Sequence, residues 1–170
     1  MRVNGVEKQV RPSYSEFDIS ATLSSSPNYY NLNLTWIPTK IELTYTSNHA
    51  SSWSDQSLGL YANNVWYRFN CWDGQNFNYN RCWIQIFQNW AEVNIVQDKY
   101  QSTWTWQTVL TFEVNSCSVQ QWNAAAVIWT PNASQQTAIS WLFVDYSNLS
   151  LRAYGNKSTL TSDVHVKVRY

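Results

Sequence analysis

Apolar and polar residues alternate along most of this chain, and that alternation limits the fold more than any other feature of the sequence. In one early segment the apolar residues occupy every second position, at Phe17, Ile19, Ala21 and Leu23. A period of two is typical of a β-strand with one buried face, whereas an amphipathic helix repeats every 3.6 residues. No segment shows a clear helical stripe, so the chain is predicted to be all-β.

The alternating segments predict about eleven strands of about five to nine residues, separated by turn residues. Asn63 and Asn64 lie between two such segments and tolerate positive φ, which predicts a two-residue hairpin turn. The strand Tyr30–Trp36 is predicted to form a second hairpin with Ile41–Tyr45. The sequence therefore indicates a jelly-roll-like β-sandwich.

The length of 170 residues suits one domain with a sizeable core. No linker, low-complexity segment or repeat of fixed period divides the sequence. We therefore expect a single β-sandwich domain at residues 16–170, preceded by an N-terminal arm at residues 1–15.

Two segments, residues 124–130 and 138–146, are apolar on both of their predicted faces. In residues 138–146 one face carries Ile139, Trp141 and Phe143, and the other carries Leu142, Val144 and Tyr146. A strand that is apolar on both sides needs cover on both sides. The cover is either a loop of the same chain or a neighbouring subunit. The face that carries Leu142, Val144 and Tyr146 is therefore a candidate subunit interface.

Two of the three cysteines, Cys71 and Cys82, enclose ten residues that contain the turn signal Asp73-Gly74. A hairpin centred between them would place the two cysteines opposite each other. A disulfide that closes so short a loop contributes about 3 kcal/mol in the chain-entropy model. We therefore predict a Cys71–Cys82 disulfide.

The third cysteine, Cys117, has two interpretations, a buried free thiol or an intermolecular disulfide. No Cys-x-x-Cys spacing occurs, and His49 and His165 are distant in sequence from the cysteines. Because zinc sites need such clusters of ligands, neither a metal ion nor another cofactor is expected.

Charge is scarce in this chain. The net charge is zero and 13% of the residues are charged, against about 25% in ordinary domains. A surface with so weak a field disfavours nucleic acid and acidic membranes as partners. No apolar segment is long enough to cross a bilayer, and no secretory signal is visible. This composition without an export signal favours a virion or extracellular location and no membrane insertion.

Catalysis is not expected from the residues that usually supply it. The two histidines suggest no nucleophilic triad, and four glycines leave no phosphate-binding loop or nucleophile elbow. Glycoside hydrolysis needs two carboxylates, and the strand-borne candidates are Glu92, Glu113 and Asp145. Eleven acidic residues supply many accidental pairs, so we predict that the protein is not an enzyme.

Aromatic residues near predicted turns are candidates for binding sugars, because the C–H face of a sugar ring packs on an aromatic π cloud. The candidate residues flanked by polar side chains are Trp53, Trp72, Asp73, Trp90 and Trp122. The partner would then be a host-surface glycan. The alternative is that these tryptophans are peripheral core residues covered by loops.

Four Asn-x-Ser/Thr sequons occur, and about 3.5 are expected by chance from the Asn, Ser and Thr content. The number is therefore uninformative. Asn33 lies in the middle of a predicted strand and is a poor acceptor. The candidate glycosylation sites are Asn132, Asn148 and Asn156.

The segment Leu34–Ser47, LTWIPTKIELTYTS, resembles the aromatic-x-Pro-x-Lys/Ala-apolar strand of some phage tail-fibre and attachment β-domains. It lacks the glycines that usually precede that strand. The composition, rich in Tyr, Trp, Asn, Gln, Ser and Thr and poor in Lys and Glu, is similar to that of virion proteins of viruses that infect thermoacidophilic archaea. The resemblance implies a capsid, turret, spike or fibre component, often a trimer or pentamer, and it transfers no functional residues.

Two functions follow as hypotheses. The first is a non-enzymatic structural or attachment subunit of an extracellular particle, which assembles with copies of itself or with other virion proteins. The alternative is a carbohydrate-binding, lectin-like module that uses the loop tryptophans.

Overall fold

Strands make up most of the chain in the computed structural model, which describes residues 2–3, 6–7, 10–48, 55–72, 81–89, 91–98, 105–121, 126–156 and 160–170. The side chains of residues 2–7, 45–48, 71–72, 81–83, 91–98, 105–107, 121, 127 and 160 are outside that description. In chain order the strands are β1 (Arg2–Val3), β2 (Val6–Glu7), β3 (Tyr14–Leu23), β4 (Asn28–Asn31), β5 (Lys40–Asn48), β6 (Asp55–Ala62), β7 (Val65–Trp72), β8 (Arg81–Gln88), β9 (Ala91–Asp98), β10 (Thr105–Phe112), β11 (Cys117–Gln121), β12 (Val127–Trp129), β13 (Ser150–Gly155) and β14 (Leu160–Arg169). A helix, α1, spans Ala133–Val144, and a short 3-10 helix follows at Tyr146–Asn148.

Within the described residues, two six-stranded antiparallel sheets form a β-sandwich, which confirms the predicted fold class. The front sheet has the strand order β12-β11-β10-β5-β14-β3, and the back sheet has the order β4-β13-β6-β7-β8-β9. Strands β1 and β2 pair with each other as a separate two-stranded sheet.

The core lies between the sheets and is built from alternate residues of the strands. Its front-sheet members include Ile41, Leu43, Leu110, Phe112, Val164 and Val166, and its back-sheet members include Leu58, Leu60, Tyr67, Phe69, Ile84 and Ile86. Across the core, the rings of Tyr67 and Phe112 meet edge to face at 4.4 Å between centres. Full burial of one large apolar side chain contributes about 1.5–3 kcal/mol, so this layer holds the sheets together.

The Asn63-Asn64 hairpin is confirmed. The two residues connect β6 to β7, with Ala62 paired to Val65. Both have positive φ, 49° at Asn63 and 60° at Asn64. Asparagine tolerates this left-handed region better than most residues, which explains the tight turn.

The predicted hairpin between Tyr30–Trp36 and Ile41–Tyr45 is wrong. Strand β4 ends at Asn31 and pairs with β13 in the back sheet, whereas β5 pairs with β10 and β14 in the front sheet. The connection between β4 and β5 crosses from one sheet to the other, with Leu32 and Leu34 buried on the way. The chain therefore changes sheets where the sequence suggested a local turn.

The strand predicted at residues 138–146 is a helix. Asn132 caps the N-terminus of α1. Its side-chain oxygen accepts a hydrogen bond from the backbone N–H of Gln135, and the Gln135 side-chain oxygen accepts one from the backbone N–H of Asn132. This reciprocal arrangement is a capping box. The buried residues of α1 have helical spacing, at Gln135, Ala138, Ile139, Leu142 and Phe143. The remaining apolar residues face outward, and Trp141 is therefore exposed rather than in the core.

The helix also changes the candidate subunit interface. Leu142 is fully buried against its own chain, so it is not available to a neighbouring subunit. Val144 is exposed on the other side of α1, and Tyr146 is partly buried in the 3-10 helix. The three residues thus do not share one face as a strand would have required, and for Val144 and Tyr146 the interface remains a prediction.

The apolar segment at residues 124–130 contains the three-residue edge strand β12. Trp129 packs against the core, but Ile128 is 66% exposed. The outer side of β12 is therefore not covered by its own chain. This differs from the first kind of cover expected from the sequence, a loop of the same chain. Residues 124 and 125 lie outside the described residues.

The cysteines have different environments. In the backbone register Cys71 of β7 is directly opposite Cys82 of β8, but their side chains are outside the description, so the disulfide remains a prediction. Cys117 is a buried free cysteine, and burial raises the pKa of its thiol to about 11. A buried thiol that stays protonated is inert, which agrees with the first interpretation and disfavours an intermolecular bridge.

Candidate functional site

The outer side of the back sheet concentrates aromatic rings and arginines. Because core residues point inward, their neighbours along each strand point outward. The register aligns Tyr29, Arg152, Gly59, Arg68 and Gln85 in one row across five strands. The adjacent row contains Tyr61, Trp66 and Phe87. We call this outer side the aromatic face, and its described members include Tyr29, Ser57, Gly59, Tyr61, Trp66, Arg68, Asn70, Gln85, Phe87 and Arg152.

Guanidinium groups and aromatic rings alternate across the aromatic face. The Arg152 Cζ lies 5.6 Å from the centre of the Tyr29 ring and 3.8 Å from that of Trp66. The Arg68 Cζ lies 4.8 Å from the centres of both the Trp66 and the Phe87 rings. Each such contact contributes about 0.5–1 kcal/mol at exposed sites and about 2 kcal/mol when desolvated. Tyr29, Arg152, Trp66, Arg68 and Phe87 thus form one continuous series, which we call the stacking ladder.

The ends of the stacking ladder are more accessible than its middle. Trp66 and Arg152 are buried, whereas Tyr29 is 50% exposed and Phe87 is partly exposed. Tyr29 also meets Tyr61 edge to face, with 5.3 Å between ring centres. The aromatic face therefore offers ring surface to solvent at both of its sides.

A buried polar network holds Arg68 in place. Its Nη1 donates to the Ser57 hydroxyl at 3.1 Å, and its Nε donates to Gln85 Oε1 at 2.9 Å, with Nη2 donating to the same oxygen. Ser57 in turn donates to Asn70 Oδ1. Hydrogen bonds to a charged group contribute about 1.5–3 kcal/mol each, so the guanidinium is fixed before any ligand arrives.

Gly59 lies between the two arginines in the row. A Cβ at this position would lie 2.6 Å from the Arg68 Cα and closer still to the carbonyl oxygen of Tyr67. Backbone atoms cannot move aside as a flexible side chain does, so β6 and β7 approach too closely here for any larger residue.

Trp66 carries a hydrogen-bond donor without an acceptor. Its indole N–H is buried and has no partner in the described part of the chain. An unsatisfied buried donor costs about 1–3 kcal/mol.

The outer side of the front sheet differs, because it carries charged side chains on β3, β5 and β14. We call it the charged face, and its described members include Tyr14, Glu16, Asp18, Lys40, Glu113, His165 and Lys167. Its ion pairs are Lys40–Glu113 at 3.5 Å, Lys167–Glu16 at 3.8 Å and His165–Asp18 at 2.9 Å. Because water screens ion pairs at a protein surface, each of these pairs contributes little to the free energy of folding. The charged face is therefore a solvated surface.

His165 on the charged face gives a pH-dependent prediction. Its hydrogen bond to Asp18, and secondarily its contact with Glu16, raise its pKa above the ordinary value. A raised pKa in the folded protein adds stability below the unfolded pKa, and that stability is lost as the pH rises through the folded pKa. We expect the NMR titration midpoint of His165 to fall in Asp18→Asn and to fall less in Glu16→Gln. His49→Gln assigns the signals, and an unchanged midpoint in Asp18→Asn would contradict the pairing.

The carboxylates considered for catalysis do not meet in one site. Glu113 forms an ion pair with Lys40 on the charged face. Asp145, at the end of α1, accepts a hydrogen bond from Asn148 Nδ2 at 2.9 Å. The side chain of Glu92 is outside the description. Among the described residues, no group of three His, Cys, Asp or Glu is placed to hold a metal ion. No helix in the described ranges is long and apolar enough to cross a membrane.

A cavity inside the sandwich is too small to be a ligand site. It measures about 20 Å³, enough for about one water molecule. Its lining includes Ile84, Ile86, Cys117, Trp129 and Gln135.

The site residues predicted from the sequence mostly lie beyond what the structure describes. Trp53, Asp73, Trp90 and Trp122 fall outside the described residues, and Trp72 ends β7 with its side chain undescribed. These five remain predictions. The predicted sugar-binding aromatics lie in loops, and the prediction does not include those on strands. The available signal was the alternation itself, because Trp66 and Arg68 fall between the core positions of β7.

The side chains of the candidate glycosylation sites are exposed, but each of them already makes a hydrogen bond within the protein. Asn132 caps α1 through its Oδ1, and Asn148 Nδ2 donates to Asp145. Asn156 Oδ1 accepts from the Asp55 amide at 2.7 Å. Whether these sequons carry glycans stays a prediction. Asn33, judged a poor acceptor, lies beyond the end of β4 with a φ of 52°.

The arrangement of the two sheets is a β-sandwich fold that the chain shares with galectins and with a phage carbohydrate-binding module. No protein-family model and no curated protein sequence matches the chain. The likeness is therefore one of structure.

Three solved structures illustrate that likeness. The CBM2 module of the evolved Dit protein of Lactobacillus casei BL23 phage J-1 has a TM-score of 0.57 and 8% identity, over 90% of this chain and 70% of that one. Ancestral congerin Con-anc has a TM-score of 0.54 and 8% identity, over 82% and 98%. Toad ovary galectin, in complex with thio-digalactose, has a TM-score of 0.52 and 11% identity, over 81% and 98%. At these identities the likeness concerns the fold alone.

Proposed function

We propose that the protein is a non-enzymatic, carbohydrate-binding β-sandwich and that the aromatic face is its glycan site. The observation that carries the proposal is the stacking ladder beside a buried polar network. Aromatic rings accept the C–H face of a sugar, while guanidinium and amide groups bind its hydroxyls. The fold shared with a CBM2 module and with a galectin in complex with thio-digalactose supports the same proposal.

Binding would use groups that are already in position. Tyr29 offers half of its side chain for stacking, next to Arg152, whose Nε donates to the Tyr29 hydroxyl at 3.0 Å. Arg68 is held between Gln85 and Ser57. A site that is fixed before binding loses less conformational entropy when the ligand arrives.

The proposal is tested by Tyr29→Ala in glycan-array and calorimetric binding measurements. Loss of one stacking ring is expected to weaken binding by about 0.5–1.5 kcal/mol, or roughly 2- to 12-fold in Kd. Tyr29 is on an edge strand and is exposed, so the variant should fold normally.

Tyr14→Ala is the matched control. Tyr14 is also on an edge strand, is 47% exposed and lies 4.8 Å from the Lys167 Nζ, but it belongs to the charged face. We expect its binding to equal that of the unmodified protein. No glycan binding by the unmodified protein, or equal losses in the two variants, would refute the aromatic face as a glycan site.

A second candidate function is a structural or attachment subunit of an extracellular particle such as a virion. It is favoured by exposed apolar residues that their own chain leaves uncovered, Ile128 on β12 and Trp141 and Val144 on α1. Light scattering after size-exclusion chromatography tests this function. A species that stays monomeric at high concentration would count against it and leave the glycan-binding proposal untouched.

A further inference from the structure

We infer that the aromatic face binds an extended oligosaccharide, which lies across the strands from Tyr29 to Phe87, rather than a single terminal sugar. The inference rests on the proposed glycan-binding function. It adds the length and the direction of the ligand to that function.

The first argument is the length of the stacking ladder. Its ends are on β4 and β8, which are separated in the sheet by β13, β6 and β7. Four steps between neighbouring strands, each of about 4.8 Å, give a span of about 19 Å. The consecutive contacts of the ladder, at 5.6, 3.8, 4.8 and 4.8 Å, are consistent with that span. A single sugar ring is far too short to reach both ends.

The second argument is the distribution of accessible ring surface. The buried centre at Trp66 and Arg152 exposes little ring area to a ligand. Tyr29 and Phe87 are the accessible rings of the ladder, one at each end. A sugar can therefore stack at either end, and only a chain of sugars can use both rings at once.

The third argument is that the distance between the two rings is fixed. Arg68 packs against Phe87 and is bonded to Gln85 and Ser57, while Arg152 packs between Tyr29 and Trp66. These contacts tie each accessible ring to the buried centre. Two rings at a constant separation favour a ligand with a regular repeat, because its stacking positions are then matched without rearrangement of the protein.

The test is a chain-length series measured by calorimetry with linear cello-, chito- and galacto-oligosaccharides of one to six residues. For a series that binds, we expect affinity to rise until the chain spans both rings and then to level off. With the hexasaccharide, Tyr29→Ala and Phe87→Ala should each weaken binding roughly 2- to 12-fold. With the disaccharide, which can use either ring but not both, each variant should weaken binding less than it does with the hexasaccharide, because the other ring remains available. Tyr14→Ala should change neither.

The outcomes separate this inference from the proposed function. A disaccharide that binds as tightly as the hexasaccharide would overturn the inference of an extended ligand. It would leave the proposed glycan site on the aromatic face intact. A disaccharide that both variants weaken as much as they weaken the hexasaccharide would do the same. Failure of all three series to bind would also overturn the extended ligand as stated. The absence of any signal on the glycan array would refute the glycan-binding function itself.

Discussion

Replacing Leu142 with alanine is expected to lower the free energy of unfolding by about 2–5 kcal/mol. Leu142 is fully buried on the side of α1 that also carries Ile139 and Phe143. Truncation removes apolar contacts and leaves a cavity that the surrounding sheet cannot fill completely, because protein interiors are close-packed. Urea denaturation followed by circular dichroism measures the change.

Val144→Ala is the matched control, since Val144 is on the same helix but is 65% exposed. Its effect should stay within about 0.5 kcal/mol. A strand at residues 138–146 would have placed Leu142 and Val144 on one face and made the two substitutions similar. Equal destabilisation by the two variants would therefore contradict the helix.

The helix shows why local periodicity is not always decisive. Apolar residues occupy both the inner and the outer side of α1, so the pattern fits a strand as well as a helix. The informative signal was at its start, where Asn132 and Gln135 have the spacing of a capping box. Asn132 also begins the sequon that predicts glycosylation, and both interpretations use the same short segment.

Strand pairing could be predicted only where one local turn determines it. The Asn63-Asn64 turn specifies its own hairpin, because left-handed φ values leave the chain few other paths. The connection after β4 contains one left-handed residue, Asn33, and a single such residue does not specify which strand pairs with which. The partners of β4 and β5 are then decided by burial of Leu32 and Leu34 between the sheets, which depends on distant parts of the chain.

The aromatic face illustrates the same limit for function. The side chains of Tyr29 and Arg152 form a hydrogen bond with each other, although they are 123 positions apart in the sequence. The outward direction of Trp66 and Arg68 follows from alternation along β7, so two of the five members of the stacking ladder can be predicted from one strand. Its completion by β4 and β13 requires knowledge of the sheet order, which alternation does not provide.

Replacing Gly59 with alanine is expected to destabilise the protein by about 1–3 kcal/mol and to weaken glycan binding at the same time. The new Cβ would overlap the backbone of Tyr67 and Arg68, so β6 and β7 must move apart. Arg68 and Arg152 flank Gly59 in the register, and that displacement would disturb both arginines of the stacking ladder. Thermal unfolding measures the first effect, and calorimetric titration of the best glycan from the array measures the second.

Gly155→Ala separates steric overlap from the general effect of replacing a glycine. Gly155 is also buried in the back sheet, but a Cβ there would lie 3.4–3.5 Å from Leu23, which is ordinary van der Waals contact. Since alanine restricts the unfolded chain more than glycine does, this variant should be neutral or more stable by about 0.4–1 kcal/mol. If Gly59→Ala retained full stability and Gly155→Ala did too, the close approach of β6 to β7 would not exist.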